Sequence, residues 1–140
     1  MQTTRDWLSG GLLTILGVLA FGTGVYFLAI RPTFLPEDIR FTGIDEATLP
    51  QAFLDWLGIV FRTWGGFITG FGIVITGIGI ATFSGDARWL RYGTAAGILL
   101  AFGRFAYSNV IISGDYLIFI ASMFVVALIA AALLLWKPGP

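Results

Sequence analysis

Apolar residues run almost unbroken through four stretches, Trp7–Ile30, Trp56–Phe83, Leu90–Ile112 and Tyr116–Trp136. Each is about twenty residues or longer, the length an α-helix needs to cross a hydrocarbon core roughly 30 Å thick. The pattern predicts an all-α integral membrane protein: one domain, residues 1–140, with four transmembrane helices in a bundle. Its outer loop, about 31–55, carries a short amphipathic helical segment. The first stretch reads as a retained helix, being longer than the 7–15 apolar residues of a secretion signal.

The loop has its own punctuation. Arg31-Pro32 and Leu35-Pro36 end the first helix, because proline lacks a backbone donor and biases the residue before it away from helix. Acidic Asp45 and Glu46, then Thr48 and Pro50, are helix-start signals. From Pro50 a helical pattern continues to Phe83, about 34 residues or ~50 Å, so the helix either protrudes beyond the membrane or bends near Gly65-Gly66. Along Pro50–Trp64, Phe53, Leu54, Leu57, Val60 and Phe61 recur at helical spacing, with Asp55 and Arg62 off that stripe. This is the amphipathic segment, either a cap on the bundle or a surface-lying face.

Glycines recur every seven residues, at 10, 17 and 24 in the first helix and at 58, 65, 72 and 79 in the second. Small residues let membrane helices approach closely, so these stripes are expected to face each other. Gly66, Gly70 and Gly77 form a second stripe, rotated by about 120°. The second helix should therefore touch two neighbours, the other being the third helix with Gly93 and Gly97. The glycine-free fourth helix is expected to present a broad lipid-facing surface. Packing within one chain is favoured over a homo-oligomer, since the four helices must first satisfy one another. Leu19–Tyr26 also matches Leu100–Tyr107 at five of eight positions, as two related helix pairs would.

Composition narrows the function. Hydrophobic residues make up 57% of the chain and charged residues 11%, against about 25% in soluble domains. Cysteine and histidine are both absent, which removes thiolate chemistry, disulfides, the usual haem ligand and the common zinc sites. No cofactor and no metal site is expected. Net charge is zero and the cations are scattered, which excludes the footprint of a nucleic-acid binder. No nucleophile–base pair is visible, which argues against hydrolysis or covalent transfer.

Three tryptophans sit beside cations: Trp7 near Arg5, Trp89 after Arg88, and Trp136 before Lys137. With four crossings all three fall on one side, and the positive-inside rule with its aromatic belt makes that side, with both termini, cytoplasmic. Glu37, Asp38, Asp45, Glu46, Asp55 and Asp115 then make the outer face anionic.

Arg104 is the one ionisable residue well inside a predicted crossing. A central arginine costs about 2.5–3.5 kcal/mol on insertion scales, so it is expected to face a cavity, a partner anion or the protein interior. Its planar, permanently charged fork suits a carboxylate or phosphate. Asp115 lies too far along the helix to be an easy partner, whereas Asp55 can reach it if its segment dips inward. Tyr26 and Tyr107 lie at similar depth, with Ser108 and Asn109 nearby and Arg62 at the rim. The expected site is an outward-opening cleft lined by Arg104, Arg62, Tyr26, Tyr107 and Asn109, with Asp55 as counter-ion. The alternative is an arginine that snorkels to the interface and binds nothing.

Arg62-Thr63-Trp64-Gly65-Gly66 opening the second crossing, with Gly103-Arg104 in the third, resembles small bacterial four-helix membrane proteins of the DoxX-like and related families. The resemblance implies a four-helix bundle in the bacterial cytoplasmic (inner) membrane and carries over no catalytic residue. The expected function is therefore non-catalytic: an accessory subunit of a membrane assembly, or a binder of a lipid-like or anionic amphiphile in the outer cleft. Its expected partners are membrane lipid, with other membrane subunits or further copies of the chain as the alternative. A small transporter or a quinone-interacting oxidoreductase component is the competing class.

Overall fold

The computed structural model describes residues 4–111, 113–115 and 117–135, all in helices or the turns between them. Helix α1 (Thr4–Val25) continues into a π-helical turn, Tyr26–Ile30. After a short helix α2 (Pro36–Thr42) and a 3₁₀ turn (Glu46–Thr48) come α3 (Gln51–Ser84), α4 (Arg88–Ile111) and α5 (Leu117–Leu135). Three segments are long and apolar enough to cross a membrane: Gly10–Ile30, α3 and α4. Helix α5 has 19 residues and no charge. The ends of the predicted fourth crossing, Tyr116 and Trp136, lie outside the described residues, as do Ile112 and Lys137.

Helix α3 runs 34 residues without a break in its helical pattern. At 1.5 Å per residue it is about 50 Å long, well beyond a hydrocarbon core. Glycines in the left-handed conformation stop two helices, Gly43 after α2 and Gly85 after α3, at φ of 68° and 71°. A side chain at either position would be strained.

Two features of the loop depart from the sequence reading. Pro36 does not merely end a helix; it begins one, standing at the first turn of α2, where its missing N–H costs nothing. Asp38 completes that start by accepting the Leu35 backbone N–H at 2.9 Å. Helix α1 stops near Ile30 as expected, but its last turn is π-helical, with the Arg31 N–H reaching back to the Tyr26 carbonyl at 2.8 Å.

The heptad glycines face each other as expected. A methyl group added to Gly10, Gly17 or Gly24 would fall within 3.0 Å of the α3 atoms around Gly79, Gly72–Thr76 and Thr69, and the α3 glycines meet α1 in the same way. The pairs Gly10–Gly79, Gly17–Gly72 and Gly24–Gly65 step in opposite directions, so α1 and α3 are antiparallel. Thr14, Thr69 and Thr76 fill the gaps opposite glycines, each hydroxyl donating to the carbonyl four residues earlier. That bond satisfies a polar group where no water is needed. Gly58 lies outside the interface, with nothing within 4 Å.

The second glycine stripe meets α4: Gly77 against Gly93, Gly70 against Gly97 and Ala101, and Gly66 against the Arg104 side chain. This pairing is antiparallel too. Helix α5 then packs on α4, where Gly103 faces Phe124. The main contacts are α1 with α3, α3 with α4, and α4 with α5, so the long helices lie in an open row rather than around a common centre. The aligned glycines of the possible repeat have different surroundings, since Gly22 faces open space and Gly103 faces a ring.

What this row buries is unusual for a water-soluble protein. Among the described residues the buried set is largely glycine and alanine, with Thr69, Ser108, Asn109 and Ile120, and no large side chain is fully buried. Leucines, isoleucines and aromatics line the outside instead, Leu19 at 63% and Phe71 at 62% exposure. Contiguous apolar surface of this kind needs a covering of lipid or protein. Close backbone contact, not burial of large side chains, joins the helices, as it does where lipid removes the hydrophobic drive between them.

Candidate functional site

Arg104 projects from the middle of α4, and Gly66 makes room for it. The arginine Cβ and Cγ occupy the space that a side chain at position 66 would fill. Arg62 lies one helical turn before Gly66 on the same face of α3, so both arginines belong to the α3–α4 seam at that level. Arg62 is exposed and Arg104 half-buried. The Arg104 guanidinium carbon is 5.2 Å from the centroid of the Tyr107 ring, within cation–π range. Its Nε is buried without a hydrogen-bond partner. No described carboxylate lies within ion-pair distance of either arginine; the ion pairs among the described residues are Arg31–Asp38 and Arg88–Asp86. A guanidinium fork with open donors has the chemistry to bind a carboxylate or phosphate.

The other expected members of the cleft are dispersed. Asp55 is not the counter-ion of Arg104: it is exposed and accepts a 2.9 Å hydrogen bond from the Gln51 side chain, one turn earlier on α3. Its segment is part of the continuous helix α3, about 16 Å along the axis from Gly66, where Arg104 packs. Tyr26 opens the π-helical turn after α1, which packs on α3, and its ring is edge-on to that of Phe27 with centroids 5.9 Å apart. Asn109 is buried and donates to the Phe105 carbonyl at 3.1 Å. With Ser108 and Thr63, hydrogen-bonded to each other at 2.7 Å, it lines a separate cleft of about 220 Å³ walled by Trp56 and Trp64. On a helical wheel Asn109 and Tyr107 stand about 160° apart, so they serve opposite flanks of the α3–α4 seam. The arrangement thus unites Arg62, Arg104 and Tyr107.

A well-enclosed cation that sequence reasoning passed over is Arg31. The Arg31 side chain is only 5% exposed; its guanidinium lies 3.7 Å from the Phe61 ring centroid and 5.3 Å from that of Phe27. It donates to the carbonyls of Pro32 and Thr33, both at 3.0 Å, and pairs with Asp38 at 2.7 Å. Its Nε alone lacks a partner. These contacts bind the end of α1 to α2 and α3, a structural role with the charge already neutralised. The available signal was Phe27 one turn before Arg31 and an acid at the third position of a proline-opened helix.

An apolar groove of about 400 Å³ lies over α3 between α1 and α4, toward the Ser84–Arg88 connection. Val18 and Phe21 form one wall, Trp89 and Tyr92 the other, and Ile73 and Ile80 belong to its floor. No group of three or more metal-ligating side chains occurs among the described residues. Comparison with protein-family models, curated proteins and solved structures yields no match. The DoxX-like resemblance therefore rests on the Arg62–Gly66 and Gly103-Arg104 segments alone.

Proposed function

We propose that this chain is a non-catalytic integral membrane protein that binds the anionic headgroup of a membrane amphiphile between Arg62 and Arg104. The observation that carries this reading is the arginine pair, Arg104 packed on Gly66 and Arg62 one helical turn before Gly66, with no described carboxylate to neutralise either. A cation at membrane depth is costly unless water, a protein group or an outside anion meets it, and here the Tyr107 ring meets Arg104 while no described carboxylate does. A lipid phosphate supplies a negative charge, and it accepts the parallel hydrogen bonds that an arginine fork offers. The setting is a bacterial inner membrane with both termini cytoplasmic, supported by the tryptophan–cation pairs and by the DoxX-like resemblance.

Native mass spectrometry of the protein in mild detergent tests this. Wild type is expected to retain one phosphatidylglycerol in preference to phosphatidylcholine. Arg104→Leu should weaken that binding about tenfold or more, since a hydrogen bond to a charged group contributes ~1.5–3 kcal/mol. Equal retention of the two lipids, or unchanged binding by the variant, would refute the headgroup site.

The second reading is an accessory subunit, favoured by the open row itself. Helices α1 and α5 are its two edges, each packed on one side only. A larger complex of fixed stoichiometry in the same spectra would support that role.

A further inference from the structure

We infer that the arginine pair and the apolar groove between α1 and α4 form one continuous site, in which an anionic lipid lays its acyl chain along α3 toward Trp89. This rests on the reading of Arg62 and Arg104 as the headgroup ligands and adds where the chain goes.

The geometry follows from helical repeat. Gly77 and Gly93, which meet on the groove floor, are each eleven residues from Gly66 and Arg104, which meet at the other end. Arg62 is likewise eleven residues from the floor residue Ile73. Eleven residues make about three helical turns, so the cationic end and the apolar end share one face of α3 and one face of α4, roughly 16 Å apart. Trp89 and Tyr107 are eighteen residues apart, about five turns, and so stand in line along the same wall. Between them the helices stay in close contact, Gly70 against Gly97 and Ala101, so α3 and α4 keep one register along this stretch.

Charge selects the occupant. A groove with an apolar lining at one end and two unneutralised cations at the other matches an amphiphile with an anionic head and a long chain. A free phosphate would use only the arginines, and a partner helix would leave the cations unanswered unless it carried its own acid.

Trp89 reports on the far end of the groove. Phosphatidylglycerol brominated near the end of its acyl chain, present as a minor component of phosphatidylcholine vesicles, should quench the Trp89 emission. That emission is isolated as the difference between wild type and Trp89→Phe. Equally brominated phosphatidylcholine at the same fraction should quench it far less, a preference of about tenfold in apparent affinity. Arg62→Gln/Arg104→Gln should abolish the preference, and Val18→Trp should lower it by filling the groove. If retention depends on the arginines but Trp89 is quenched equally by both lipids, the groove assignment falls and the headgroup site stands. If retention is independent of the arginines, the headgroup site falls. If preferential quenching survives the double variant, the union of the two is overturned.

Discussion

At the scale of single residues, two ion pairs among the described residues, Arg31–Asp38 and Arg88–Asp86, stand against Arg62 and Arg104, which no described carboxylate reaches. The Arg31–Asp38 pair is half enclosed and also starts α2, so Asp38→Asn should cost about 1–3 kcal/mol, the range for losing a hydrogen bond to a charged group. A thermal melt in detergent reads this, and an unchanged midpoint would remove the assigned structural role. Asp86 starts α4 by accepting the Arg88 backbone N–H at 2.9 Å, and it also accepts from the Arg88 guanidinium at 2.8 Å. Those bonds hold its carboxyl below the ordinary value of 3.8. A carboxyl lowered in the folded state stabilises above its unfolded value and loses that contribution as pH falls through the lowered one. Asp86→Ala should therefore lower the melting temperature at neutral pH and make no difference in strong acid. A difference that persists in strong acid would point to packing, not charge. The importance of Arg104 was legible because a lone cation in an apolar run demands a reason. Its partners were not: Asp55 stands on the face of Gly66 but eleven residues, about 16 Å, away along α3, and Tyr26 and Asn109 serve other contacts.

At the scale of helices, the heptad glycines make a direct prediction. A methyl group at Gly72 would meet the Phe21 backbone nitrogen and the Gly17 carbonyl, atoms that cannot rotate away. Gly72→Ala should therefore destabilise by about 1–3 kcal/mol, the usual cost of overpacking. Gly22 faces open space on the same helix as Gly17, so Gly22→Ala should be neutral or stabilise by about 0.5–1 kcal/mol. Paired denaturation curves check the contrast, and equal effects would reject the glycine interface. The seven-residue repeat made this interface readable in advance, because a heptad returns nearly to one helical face. The π-helical turn at Tyr26–Ile30 had no such signal. It depends on how α1 ends against Phe61 and α2, contacts set by distant parts of the chain.

At the scale of the whole molecule, the row of helices places the α2 loop at one end and the Ser84–Arg88 connection at the other. The absence of native cysteine allows a clean test of the membrane reading. Ala47→Cys and Ala87→Cys should react with a membrane-impermeant maleimide from opposite sides of sealed vesicles, and labelling of both from one side would refute a spanning α3. Apolar periodicity alone specified the long helices, the 34-residue span of α3 and its two glycine faces, because helix length and small-residue spacing are local properties of the chain. Only the tertiary structure decided that the helices form an open row, that Arg31 is neutralised while Arg62 and Arg104 are not, and that an apolar groove lies on their face. Those outcomes depend on which side of each helix meets its neighbour, and that is settled by backbone contacts between residues far apart in the chain.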